Sequence, residues 1–208
     1  MSSAEQRQRY ATRYLERGYA VIPVPAGEKN PNRPGWQDLR LTLADVPVAW
    51  SNGANIGVLT GEPSGWRVDV DLDADEAVKV AGRFMPLTLT SGRESRPHSH
   101  WWYFAVGTVS QDWRDVDGVK LVELRAGGRQ TLVAPSTHPS GDAYVWHGES
   151  GLQMAEITAE ELRASVNRRR GRTKNGREMF HHLGSSLRFP TKEYARARAP
   201  TIPHRAHL

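Results

Sequence analysis

Asp69 and Asp71 in Val68-Asp69-Val70-Asp71-Leu72, Glu123 in Leu121-Val122-Glu123-Leu124-Arg125, and His100 between them in the chain are the strongest chemical signal in this sequence. Side chains alternate across a strand, so acids two apart put both carboxylates on one face. Carboxylates that close repel each other, and the arrangement is costly unless a cation sits between them. Aspartate is depleted in strands, and Val68, Val70 and Leu72 supply an apolar opposite face. The pair therefore asks for a reason beyond a solvated stripe. Three carboxylates from two strands can hold a pair of hard divalent ions, as in many phosphoryl-transfer sites. The chemistry implied is metal-dependent nucleotidyl transfer.

The elements that must carry these residues are legible in outline. Periodicity predicts a helix from about Ala4 to Arg17, closed by Gly18, then a strand over Tyr19 to Val24. Gly27 to Trp36 reads as a loop carrying Lys29 and Arg33. A short helix is expected over Leu43 to Trp50, with Pro47 in its first turn, and a buried strand over Asn55 to Gly61. Asp73, with Glu76 three residues on and Ala77, Val78, Ala81 and Phe84 on one face, has the spacing of a helix N-cap. Two registers are open for the acidic pair, Asp69 with Asp71 or Asp71 with Asp73; the capping role of Asp73 favours the first. Further strands are expected at Leu87–Thr90, His100–Val106, Val119–Arg125 and Gln130–Ala134. Ala143–Trp146 is expected to pair back across Ser140-Gly141-Asp142, and a helix to run from Ala155 to Asn167. Strands and helices interleave without a regular βαβ beat, which predicts an α+β fold.

Composition narrows the class. The 208 residues include no cysteine, which excludes disulfides and thiolate zinc sites and fits a reducing compartment. No apolar run approaches a membrane span and the N-terminus is not a signal peptide, so a soluble cytoplasmic protein is expected. Charge is uneven: 12 of the 28 basic residues, but only Glu178 and Glu193 of the 23 acids, lie from Arg163 onward. The expected division is a catalytic domain over 1–165 and a basic, partly disordered tail over 166–208. Such a tail is either solvated polypeptide or a contact for nucleic-acid phosphates.

Several segments, in order, resemble one known family. Tyr14-x-x-x-Gly18-Tyr19-Ala20-Val21-Ile22-Pro23, Lys29-Asn30-Pro31 and Trp36 are similar to the opening of the bifunctional DNA primase/polymerase domain. Asn55-Ile56-Gly57-Val58-Leu59-Thr60-Gly61, Ser64-Gly65, Asp69-Val70-Asp71, His100 with its aromatics, and Glu123-Leu124-Arg125 ahead of Ala134-Pro135-Ser136 continue the likeness to about residue 146. This is the prim-pol branch of the archaeo-eukaryotic primase superfamily, found in replication proteins of phages and plasmids. The resemblance implies a two-lobed catalytic core with an RRM-like lobe and a cleft between lobes. It implies template-directed polymerisation on single-stranded DNA from nucleoside triphosphates, and a replicative helicase as a partner. Asp69 and Asp71 match its first acidic motif, Glu123 the third, and His100 the histidine that contacts the incoming nucleotide's phosphates. The sequence departs from the pattern in two places. His98 stands where the family has a small residue, and Glu123 where it more often has aspartate.

The expected roles follow. Asp69, Asp71 and Glu123 hold Mg²⁺ or Mn²⁺, which prefer oxygen ligands. His100, protonated or donating from one nitrogen, binds a triphosphate oxygen, with Ser99 beside it. Arg125 alternates onto the face of Glu123 as either a phosphate clamp or a surface ion pair, while Lys29 and Arg93 are loop cations that could line the cleft. Trp101 and Trp102 point to opposite faces, one at least as core, the other as core or a base-stacking ring. No Walker-type loop is present, so ATP-driven unwinding is not expected of this chain. Two other classes compete: a metal-dependent phosphoesterase or nuclease using the same carboxylates, and a non-catalytic single-stranded DNA-binding replication module.

Overall fold

The computed structural model describes residues 1–148 and 152–167. Its helices are α1 (Ser3–Glu16), α2 (Val46–Ala49), α3 (Asp75–Val80) and α4 (Ala159–Asn167). Its strands are β1 (Val21–Val24), β2 (Asn55–Leu59), β3 (Arg67–Asp71), β4 (Thr90–Arg93), β5 (Arg96–Phe104), β6 (Gln111–Arg114), β7 (Lys120–Arg125), β8 (Gln130–Val133), β9 (Tyr144–His147) and β10 (Ala155–Glu156). Helix α1 starts where Ser2 Oγ accepts the Glu5 N–H and the Glu5 carboxylate accepts the Ser2 N–H, satisfying two donors that the helix cannot. Pro47 sits in the first turn of α2, where its missing N–H costs nothing.

Two sheets form, and the fold is α+β. The small one is antiparallel, β1-β2-β8, with every residue of its central strand buried. The large one runs β6-β7-β3-β5-β4-β9, antiparallel throughout, and β10 lies parallel to the far end of β5. Alternation on β3 and β5 divides the core. Val68, Val70, Trp101 and Tyr103 face α3 and α4, where they meet Ala77, Leu162 and Val166. Trp102 faces the other way and packs with Ile56 and Val58 of β2, Val133 of β8, and Ala11 and Tyr14 of α1. Trp102 therefore fills the space between the sheets. Both tryptophans are core, at 8% and 0% exposed, so neither offers a face for base stacking.

Other elements differ from expectation for local reasons. The strand expected at Leu87–Thr90 begins only at Thr90, which pairs with Trp101 through the bond from the Trp102 N–H to the Leu89 carbonyl, and continues to Arg93. The turn at Ser140-Gly141-Asp142 closes just a Thr137–Ala143 bridge; it carries the chain from β8 in one sheet to β9 in the other. The last helix starts at Ala159 because Thr158 and Glu161 cap it reciprocally, and Ala155–Glu156 is spent along β5. Strands β6 and β10 carry no clear sequence signal. The tail expected from residue 166 lies outside the described residues beyond Asn167. No helix among the described residues is long and apolar enough to cross a membrane.

Removing the ring between the sheets should be costly. Trp102→Ala is expected to lower unfolding free energy by about 3–5 kcal/mol, while Val116→Ala, 80% exposed in the wild type, should stay within about 0.5 kcal/mol. Urea denaturation followed by circular dichroism measures both.

Candidate active site

Strand register brings the sequence-predicted residues together. Asp71 of β3 lies directly across from His100 of β5 on one side and from Glu123 of β7 on the other. Residues directly opposite in a sheet share a face, so His100, Asp71 and Glu123 form a row across three strands. The next row on that face is Trp102, Asp69 and Arg125. This is the face that meets the small sheet, and Thr131 of β8 reaches across to donate its hydroxyl to Asp69 Oδ2 at 2.7 Å.

Asp69 and Asp71 have different surroundings. Asp69 is fully buried; its Oδ2 also lies 2.9 Å from His100 Nδ1, and its Oδ1 is buried with no hydrogen-bond partner among the described residues. Asp71 Oδ1 is 3.4 Å from His100 Nδ1, and its Oδ2 is 2.5 Å from Arg125 Nη2. Asp73 is not the helix cap: α3 is preceded by Ala74 with no side-chain cap bond. The physical reason is that the backbone keeps running between its neighbours past the end of β3. Leu72 N–H donates to the Ser99 carbonyl and Ala74 N–H to that of Leu121, so Asp73 continues the alternation onto the site face. Oxygens of Asp71, Asp73 and Glu123 lie within 4.8 Å of one another, a group that could hold a metal ion. The capping argument that favoured Asp69 with Asp71 falls away, and Asp69 stands outside this group.

The electrostatics follow from burial and charge. Burial works against ionisation of Asp71, but the charge of Arg125, then that of His100, outweighs it and holds its carboxyl below the usual range. Burial and then the Asp71 charge push Asp73 the other way, above that range. For His100, burial opposes protonation; the charges of Asp69 and Asp71 and the hydrogen bond to Asp69 overcome it, raising its pKa. Arg125 is raised as well, against burial, by Asp71, Asp69 and Glu123. Its Nε donates to Glu123 Oε2 at 3.1 Å, so its guanidinium joins two of the clustered carboxylates. Glu123 is further paired with Lys120 at 3.0 Å and Arg129 at 3.5 Å.

The remaining expected residues are scattered around this cluster. Arg125 is neither an exposed ion pair nor a free phosphate clamp: its other donors go to the Gln130 carbonyl and Thr131 Oγ1. Lys29 is exposed in its loop, and its charge contributes to the lowered pKa of Asp71. Arg93 Nη1 is 3.4 Å from His138 Nδ1, beside Tyr144, whose pKa burial pushes up to about 12. Ser99 is buried and, adjacent to His100 on the strand, alternates to the opposite face. His98 has φ +55° and is exposed, with Nδ1 2.8 Å from Thr90 Oγ1, so its bulk is turned away from the row. Thr131, Lys120 and Arg129 gave no warning in the sequence. Thr131 belongs to the other sheet, and nothing local announces that contact.

The oxygen-only donor set fits a hard divalent cation. A largely buried acid cluster with one imidazole, on a sheet face walled by a second sheet, has the composition that metal-assisted phosphoryl transfer uses. The chain belongs to the bifunctional DNA primase/polymerase N-terminal family, whose model matches residues 11–160. No individual curated protein matches the sequence. Membership points to a primase/polymerase-type nucleotidyltransferase acting in DNA replication, with DNA and nucleotides as substrates and divalent metal as cofactor.

Two measurements probe this geometry. In metal-free protein, NMR titration should show His100 titrating above its ordinary value near 6.5, and Asp69→Asn should bring it down. Because the folded value is raised, the charged ring stabilises the fold below the ordinary value, and that contribution is lost as pH rises through the folded one. Arg125→Met removes the cation that Asp71 and Glu123 share, leaving Asp71 with His100 and Glu123 with Lys120 and Arg129. It should cost about 3 kcal/mol without metal, measured by urea denaturation. Mn²⁺ should then raise the melting temperature of the variant more than that of the wild type.

Proposed function

We propose that this chain is a DNA primase-polymerase of phage or plasmid replication, joining nucleoside triphosphates onto a primer or initiating nucleotide on a single-stranded DNA template. The observation that carries the reading is the His100–Asp71–Glu123 row, with Asp73 completing a three-carboxylate cluster. The small sheet and the large sheet stand for the family's two lobes, and the site lies at their seam.

Asp71, Asp73 and Glu123 would hold the divalent ion. Asp69 contributes in another way: its Oδ2 fixes the imidazole of His100, and its unpartnered Oδ1 is the oxygen it could offer to a second ion. When bound, the ions lower the pKa of the attacking hydroxyl and neutralise charge on the leaving phosphates. His100, whose protonation Asp69 and Asp71 favour, keeps Nδ1 on those carboxylates and would present Nε2 as a donor to a triphosphate oxygen. Arg125 balances the carboxylates until a metal shares that task. Lys29 and Arg93 supply positive charge near the site, and a replicative helicase would expose the template.

Primer extension and de novo synthesis on single-stranded DNA with Mg²⁺ or Mn²⁺ test this. Wild type should give metal-dependent product. Asp71→Asn should lose both product and Mn²⁺ binding. Asp69→Asn should keep Mn²⁺ binding while product falls by about 10–100-fold, the usual penalty for losing an orienting partner. No product from wild type with either metal, with DNA binding intact, would sink the polymerase reading in favour of a non-catalytic module.

A further inference from the structure

A cavity of about 640 Å³ opens at the other end of β3 and β5 from the acid cluster. Arg67, Asp69 and Asp71 share one face of β3, and Arg67 pairs with Phe104 as Asp71 pairs with His100. Four residues of strand separate the two pairs, about 13 Å. The acid cluster and the cavity are thus opposite ends of one seam, with Trp102 filling the space between. Tyr14, Tyr19, Phe104 and Trp146 bring aromatic rings to the cavity, Arg17 and Arg67 bring charge, and none of the described residues lining it is acidic.

The two arginines have different duties. Arg67 is committed: its guanidinium lies 4.3 Å from the Tyr19 ring centre and 4.8 Å from that of Phe104. It also donates to the carbonyls of Arg17, Gly18 and Ser64, offsetting the negative C-terminal end of α1. The Arg17 side chain is exposed and has no hydrogen bond or ion pair among the described residues, so it is a cation still free to take a ligand. Several aromatic rings, an uncommitted guanidinium, no acid among the described lining residues and a volume of this size suit a planar ring system carrying an anion. An apolar ligand would leave Arg17 unused, and a cation would meet the like charge of Arg17 and of Arg67, which already lies over the Tyr19 and Phe104 rings.

We propose that this cavity is a second nucleotide site, taking one nucleotide unit with its base among the Tyr19, Phe104 and Trp146 rings and its phosphate at Arg17. The unit comes either from a free nucleotide or from a single-stranded DNA chain. Since it needs no carboxylate cluster, it binds without divalent ions, and its fate is separate from that of the polymerase reading.

The test uses the full chain in EDTA. Isothermal titration with dAMP should show binding that Arg17→Glu, a change at an exposed residue, weakens about tenfold or more. Tyr19→Leu should weaken it to a similar extent through lost stacking. In a second arm, a single-stranded oligonucleotide carrying 5-bromodeoxyuridine is photo-crosslinked and the attachment mapped by mass spectrometry. A crosslink at Tyr19, Phe104 or Trp146 assigns the site to a DNA strand; dAMP binding without one assigns it to a free nucleotide. If dAMP does not bind, or binds equally well to Arg17→Glu, and no crosslink falls on these rings, the proposal is overturned.

Discussion

The structure depends on neutralising negative charge packed onto one sheet face. Asp69, Asp71 and Glu123 are all buried, and Asp73 lies beside them. At such spacings like charges repel by several kcal/mol even at an effective dielectric near 20. Arg125 between Asp71 and Glu123, His100 between Asp69 and Asp71, and Lys120 and Arg129 on the outer side of Glu123 answer that repulsion. Oxygens of Asp71, Asp73 and Glu123 in this compensated cluster lie close enough together to hold a metal ion.

The second sheet turns this cluster into a positioned site. Thr131 on β8 donates to Asp69, and Arg125 donates back to Gln130 and Thr131, so polar contacts tie the seam at the reacting end. Trp102 ties it by packing, with its indole N–H on Ser91 Oγ and its ring 5.3 Å from that of Trp146. Groups held from several strands and locked by neighbours lose little orientation freedom when substrate arrives, which is where positioning contributes to rate. Fully buried Asp69 shows how tightly the seam is tied: its Oδ2 meets both the His100 ring and the Thr131 hydroxyl.

The family assignment and the geometry bear on different matters. The family places the chain among primase/polymerase domains; the geometry distributes roles among acids that a motif treats alike. Glu123, longer than the aspartate more usual at that position, reaches three cations at once, consistent with a carboxylate extended by one methylene. His98, in place of a small residue, is accommodated because it lies in β5 where the pairing with β4 is irregular, and its positive φ turns it outward.

The sequence by itself determined the α+β class, the helix over its first residues, the strand identity of the acidic segments and the family. Each follows from periodicity, turn chemistry or ordered motifs, which are local in the chain. It also put Asp69 and Asp71 on one face, because alternation needs no knowledge of neighbours. Tertiary structure decided which acids cluster. Asp73 reads as a cap in sequence, yet hydrogen bonds to β5 and β7 hold its backbone extended, and pairing of that kind joins residues tens of positions apart. The same holds for Thr131 beneath Asp69, for Arg125 between two carboxylates, and for Trp102 rather than a nucleobase between the sheets. Register and sheet-to-sheet contact are set by the whole core, so no local pattern could announce them.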